Sequence, residues 1–307
     1  MVTDDTTPLL IAGATASGKS ALVLALAQKY DGVIINADSM QVYAVLRQLT
    51  ARPSEAEEAQ APHRLYGHVA PGAPYSVGIW QQEAFAEIEA ARQSGKRPIV
   101  VGGTGLYFES LTQGLSAIPD IDDDIRQKWR KQLAEQGSEQ LHDLLRSRDG
   151  ELAARLSPSD GQRIVRALEV EEATGTKLSD WQKIKPQAPL GAAVKILLMP
   201  TRDWLYRRCD ARFEQMMRGS ARAEVEKLWA YNLPPDTPAM KALGVAELIA
   251  LSSGEMDEAA AIAAAQQATR RYAKRQMTWF RNRMSDWQSF SEKDYEKDFE
   301  KIFSFIA

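Results

Sequence analysis

The chain has one cysteine, three histidines and only a small imbalance of charge. The single thiol, Cys209, excludes an internal disulfide and fits a reducing compartment, where a lone cysteine serves most simply as a small packed hydrophobe. His63, His68 and His142 have neither the spacing nor the cysteine company of a zinc site, so no structural metal is expected. Long apolar runs are missing too. The longest, residues 22–27 and 259–265, fall far short of the ~20 residues that a spanning helix needs, and the start of the chain, residues 1–5, is acidic where a secretory leader is basic. The expectation is a cytoplasmic protein with no membrane segment. With 38 Lys and Arg against 41 Asp and Glu, the net charge of −3 by itself favours no class of partner. What the chain does have is 307 residues, 44% of them hydrophobic, enough for one large or two moderate domains with a real core.

The most informative stretch is Gly13, Ala14, Thr15, Ala16, Ser17, Gly18, Lys19 and Ser20, which matches the phosphate-cradling pattern G-x-x-x-x-G-K-[ST]. Its context is right: residues 9–12 before it read as a buried strand, and residues 20–29 after it as an amphipathic helix with Leu22, Leu26 and Tyr30 four apart. Glycines let the backbone wrap closely around an anion. The N–H groups and the helix N-terminus point at it, Lys19 adds charge, and the Ser20 hydroxyl can hold magnesium. A diphosphate or triphosphate is the expected ligand.

Three further apolar runs, residues 33–36, 98–101 and 195–199, read as strands, with helix 79–92 between the first two. This order predicts an α/β fold, a P-loop NTPase-like parallel sheet with ligands at the carboxyl ends of its strands. Those ends carry the phosphate loop, the segment from Asp38 to Tyr43, and the segment from Gly102 to Tyr107. Asp38 fits either a magnesium ligand or a general base, with helix capping as the structural alternative. Gly102, Gly103 and Thr104 suit one more anion contact or a tight turn. From about residue 120 to 189 the pattern is charged and helical without a strand, which predicts an inserted all-helical domain. Asp120, Asp122, Asp123 and Asp124 stand just ahead of a helix over 125–136 and are better read as opposing its dipole than as a metal cluster. Further helices are expected over 204–218, 221–229, 242–251 and from 257 to about 279.

Two basic features point towards RNA. In the insert, Arg163 and Arg166 are three apart on one helix face, with a surface ion pair to Glu169 or Glu171 as the competing reading. Near the C-terminus, Arg270, Arg271, Lys274, Arg275, Arg281 and Arg283 run without an acidic residue among Tyr272, Trp279 and Phe280. Like charges four apart on a helix repel unless an anionic partner offsets them; the alternatives are a phosphodiester backbone and a solvated face.

Taken in order, GATASGKS (13–20), DSMQVY (38–43), PHRLYGH (62–68), PYSV (74–77), GGTGLYF (102–108), QRIVRALEV (162–170), RFEQMM (212–217) and ATRRYAKRQMTWFR (268–281) resemble the tRNA dimethylallyltransferase family along nearly the whole chain. The resemblance implies transfer of a dimethylallyl group from dimethylallyl diphosphate to N6 of the adenosine 3′ of the anticodon in tRNA, with Mg2+ as cofactor. It implies that residues 13–20 hold the diphosphate, that Asp38 is the base, and that Thr104 and Arg212 bind the leaving group. It further implies tRNA contacts from Asp38, Ser39, Met40, Gln41, Thr104, Arg126, Gln162, Arg163, Ile164, Val165 and Arg166, to which the charge pattern adds Arg271 and Arg275. A core of residues 1–118 and 193–307, an insert of 119–192 that contacts tRNA, and a monomer complete the expectation. Two departures bear on it. Residues 44–53 differ from the family's usual loop although Arg52 keeps a positive charge there, and Gly244 is followed by Val245 and Ala246 rather than tyrosine and a basic residue, which weakens the case for RNA contacts from 241–246. The alternatives are a small-molecule kinase with ATP in the loop and a relative acting on free adenine nucleotides.

Overall fold

The computed structural model describes residues 6–291 and 295–306; the acidic start, residues 1–5, lies outside them. The chain divides into two compact units, Met1–Thr112 with Pro189–Ala307, and Gln113–Ala188.

In the larger unit, strands β1 (Leu9–Gly13), β2 (Gly32–Asn36), β3 (His63–Arg64), β4 (Arg97–Gly102), β5 (Val194–Leu198) and β6 (Gln288–Phe290) form one sheet. Its order is β3-β2-β4-β1-β5-β6, and every pairing is parallel. Strands β1, β2 and β4 are buried along their whole length, which is why they read as continuous apolar runs. Side chains alternate between the two faces. Leu9, Ile11, Ile34, Ile99 and Ile196 pack on one side, and Leu10, Ala12, Ile35, Val100 and Leu197 on the other.

The helices of this unit are α1 (Lys19–Lys29), α2 (Glu55–Glu58), α3 (Val77–Gln93) and α4 (Gly105–Gln113), and, beyond the insertion, α9 (Arg202–Arg218), α10 (Ala221–Trp229), α11 (Val245–Ser252), α12 (Glu258–Arg283) and α13 (Tyr295–Ile306). Helices α1 and α13 cover the first face through Leu22, Leu26, Ile302 and Ile306. Helices α3, α4 and the end of α12 cover the second through Trp80, Ile88, Phe108 and Phe280. A separate core joins α9 to α12 with residues 42–49, using Leu46, Phe213, Val225 and Leu248.

The smaller unit consists of α5 (Asp123–Arg148), α6 (Gly150–Ala153), α7 (Gly161–Thr174) and α8 (Leu178–Trp181) around Trp129, Leu141, Leu145, Ile164 and Leu168. The helix expected over 125–136 continues to Arg148, interrupted at Gly137, whose φ of 80° only glycine adopts readily. Asp123 and Asp124 occupy its first turn, and no metal-binding group of three His, Cys, Asp or Glu occurs among the described residues. Helix α7 begins after Pro158, with the Asp160 carboxylate accepting the Arg163 N–H at 3.4 Å.

Candidate active site

Because β2, β4 and β1 are neighbours and parallel, their carboxyl ends lie along one edge of the sheet. Asn36, fully buried at the end of β2, shapes the turn that follows. Its Oδ1 accepts the Asp38 N–H at 2.9 Å, and its Nδ2 donates to the carbonyls of Asp38 and Leu65, both at 3.0 Å. The Trp80 indole donates to the Asn36 carbonyl at 2.8 Å and stacks on Tyr107, tying α3 and α4 to the same turn. Asp38 emerges from it with Oδ1 accepting the Met40 N–H at 3.0 Å.

The phosphate loop joins β1 to α1. Ala16 has a φ of 61° and Gly18 one of 84°, so the loop places two residues in the left-handed region before the helix starts. Lys19 Nζ donates to the carbonyls of Gly13 and Ala14, each at 2.9 Å, and is therefore folded over the loop. Three distant residues brace it. Arg212 donates to the Thr15 hydroxyl, Arg208 Nε donates to the Ala16 carbonyl at 3.0 Å, and the Gln276 Oε1 accepts the Thr15 N–H at 2.9 Å. Ser20 is exposed at the start of α1.

After β4 the glycines serve close approach. A Cβ on Gly102 would lie 1.9 Å from the Ala37 carbonyl oxygen, and one on Gly103 would lie 2.3 Å from Gln276 Nε2. The Thr104 N–H donates to the Ala37 carbonyl at 3.2 Å, and its hydroxyl accepts the Ser39 N–H at 3.0 Å. Thr104 thus locks the segment that carries Asp38.

Two cavities meet here. A polar groove of about 670 Å³ runs over the phosphate loop past Lys19, Ser20, Gln41, Arg52 and Arg208. A smaller cavity of about 230 Å³ is partly apolar, lined by Met40, Leu49, Phe213, Met216, Tyr272 and Arg275 among others. Thr15, Asp38, Thr50 and Arg212 line both. Burial pushes the Asp38 carboxyl above its usual range, while the Met40 N–H, Lys19 and Arg212 pull it back. Burial likewise lowers Lys19 to about 8, against the pull of Asp38. Cys209 lines the smaller cavity as a buried thiol raised by burial, as befits a packed hydrophobe.

The expected RNA residues fare unequally. Ser39, Met40 and Gln41 border the cavities, Gln41 also donating to the Thr50 and Ala51 carbonyls at 2.8 and 3.0 Å. In the helical unit Gln162 is exposed, Arg126 pairs with Asp123 at 3.7 Å, Arg163 with Asp160 at 3.3 Å and Arg166 with Glu169 at 3.7 Å. The side chains of Ile164 and Val165 are 0% and 6% exposed and belong to the unit's core. On α12, Arg271 and Lys274 are exposed and Arg275 lies over the Tyr272 ring at the smaller cavity. Arg270 instead pairs with Asp210 at 2.6 Å and Arg283 with Glu109 at 3.5 Å, so part of the basic run finds its anion within the chain. Arg52 donates to the Tyr43 and Ala44 carbonyls at 3.2 and 3.0 Å, so its charge is spent largely on its own loop. Val245 is fully buried, whereas Lys241 borders the smaller cavity. Arg208 and Gln276 were not anticipated from sequence; their spacing from the loop, 192 and 261 residues, leaves no local pattern to read.

Comparison with known proteins shows the family. A family model described as IPP transferase matches residues 41–283. A tRNA dimethylallyltransferase of Chelativorans sp. is 55% identical over 284 residues, covering 91% of this chain and 97% of that protein. One of Rhizobium meliloti is 50% identical over 293 residues, covering 94% and 97%. Among solved structures, the full-length tRNA isopentenylpyrophosphate transferase of Bacillus halodurans is 32% identical with a TM-score of 0.70, covering 98% of this chain and 95% of that one. A eukaryotic dimethylallyltransferase captured acting on tRNA is 27% identical with a TM-score of 0.82, covering 94% and 75%.

Proposed function

Since the chain belongs to the IPP transferase family, we propose that it transfers the dimethylallyl group of dimethylallyl diphosphate to N6 of the adenosine 3′ of the anticodon in tRNA, releasing diphosphate. The observation that carries the reading is the junction of two cavities at Thr15, Asp38, Thr50 and Arg212. A transferase must bring two substrates together at one carboxylate and one anion cradle. The polar groove suits the diphosphate, and the smaller cavity suits groups that are flat or apolar.

In the reaction the N6 nitrogen forms a bond to the allylic carbon as the carbon–oxygen bond to the diphosphate breaks. Asp38 takes the N6 proton, a role favoured by burial, which makes its carboxylate more basic. The electron pair leaves on the diphosphate. Backbone N–H groups of the phosphate loop, Lys19 and Arg212 oppose that charge, and Thr104 holds the base segment in register. The hydroxyls of Thr15, Ser20 and Thr50 and the carboxylates of Asp38 and Glu57 are among the side chains that border the groove, hard-oxygen donors of the kind Mg2+ takes, and Ser20 would hold the ion together with the diphosphate's own oxygens. Bound there, the ion would neutralise part of the leaving group's charge. The helical unit 113–188 is the tRNA-contacting insertion domain, presenting Arg126, Gln162, Arg163 and Arg166, and Arg271 and Arg275 of α12 hold RNA beside the smaller cavity. We place the enzyme in the cytoplasm, in accord with the absence, among the described residues, of any helix long and apolar enough to cross a membrane. It acts as a monomer.

The test is incubation with labelled dimethylallyl diphosphate and either tRNA, AMP or no acceptor, and separately with ATP and candidate hydroxyl acceptors. Label is expected in tRNA alone; label in AMP would assign the chain to free nucleotides, and phosphorylation of a hydroxyl acceptor from ATP would assign it to the kinases.

A further inference from the structure

Gln276 is 6% exposed on α12 and both ends of its amide are hydrogen-bonded. Oε1 accepts the Thr15 N–H at 2.9 Å, and Nε2 donates to the Gly103 carbonyl at 2.8 Å. The amide orientation is fixed by its partners, because a flipped group would set donor against donor and acceptor against acceptor. Gly103 is the point where this amide and the base approach each other: a Cβ there would lie 2.3 Å from Gln276 Nε2 and 3.5 Å from Asp38 Oδ2. One side chain therefore joins the loop after β1 to the loop after β4, and the latter holds Asp38 through Thr104 and Ser39.

We propose that Gln276 is a positioning residue for the transfer step, setting the distance between the diphosphate cradle at Thr15 and the base at Asp38 from a helix that belongs to neither loop. The Thr15 N–H is taken by the Gln276 amide and the Ser17 N–H by the Ala14 carbonyl at 3.1 Å, so the donor is left to the loop's other N–H groups. Loss of the bridge lets the two loops drift while each keeps its own ligand contacts. The effect therefore falls on the chemical step rather than on binding. An error of about 1 Å in such an arrangement costs on the order of a hundredfold in rate.

The inference rests on the roles given above to the loop and Asp38, so the parent enzyme must transfer label to tRNA; if it does not, that reading fails and not the bridge. In the parent background, Gln276→Met keeps length and removes both hydrogen bonds, and Gln276→Glu keeps the acceptor for Thr15 but loses the donor for Gly103. The single-turnover rate at saturating tRNA and donor is expected to fall about a hundredfold in the first variant and less in the second. Donor and tRNA dissociation constants should stay within about threefold, and hydrogen exchange at the Thr15 amide should quicken in Gln276→Met alone. An unchanged rate in both variants overturns the proposal. So does a rise in the donor dissociation constant as large as the loss of rate, which would place Gln276 in the cradle itself. If Gln276→Met melts below the assay temperature, Gln276→Glu decides by the same two measurements.

Discussion

Replacing Asp38 by asparagine removes one proton acceptor and leaves its surroundings almost as they were. The asparagine Oδ1 can still accept the Met40 N–H, now at 3.0 Å, and the Asn36 turn that presents the residue involves backbone only at position 38. The lost function is that of a positioned base, about a hundredfold to ten-thousandfold, or about 2.7 to 5.4 kcal/mol of barrier. Binding responds differently. Lys19 and Arg212 lose a nearby negative charge, so at pH 7 the donor diphosphate should bind as well as before or better. Lys19, however, is held up at about 8 partly by Asp38; without it the ammonium deprotonates at lower pH. Donor affinity, which needs the protonated amine, should therefore fade on raising the pH earlier in the variant than in the parent. The assay is single-turnover transfer to tRNA across a magnesium titration, paired with donor calorimetry from pH 6 to 9. Recovery of the rate at high magnesium would refute the assignment, because it would make Asp38 a metal ligand.

Lys19→Ala deletes a charge-assisted hydrogen bond and should weaken donor binding by about 1.5 to 3 kcal/mol with tRNA affinity unchanged, as titration calorimetry would show. Reversing Arg271 and Arg275 should lower the slope of log affinity against log salt by about 0.7 to 0.9 for each phosphate that is no longer neutralised; Arg270→Ala, which breaks an ion pair within the chain, should leave that slope alone. Ile164→Ala should cost about 2 to 5 kcal/mol in denaturant unfolding, since it empties a core position, and leave the salt slope intact.

Strands β1, β2, β4 and β5 were legible because a parallel sheet buried on both faces needs continuous apolar runs. Strands β3 and β6 were not: two residues, His63 and Arg64, and three, Gln288 to Phe290, carry no such run. Helix α2 was missed although its Ser54–Glu57 capping box is a local signal. In the candidate site, Asp38 and the phosphate loop could be read because the chemistry sits beside a strand in the chain. Gln276 could not, since its partners are set by how α12 packs and not by spacing. Ile164 and Val165 show the converse, a stretch contiguous in sequence whose side chains divide between surface and core once it is coiled into a helix.

The shortness of β3 and β6 also bears on the fate of the unfinished chain. These two edge strands offer few unpaired N–H and C=O groups, and such edges resist pairing with another molecule. Until Gln288 to Phe290 have docked, the rim of the sheet is instead β5, Val194 to Leu198, whose sequence VKILL is a strand-forming apolar segment. Nascent or truncated chains that stop short of residue 288 would present that segment as a template for intermolecular cross-β growth, so completing the sheet also guards the protein against aggregation.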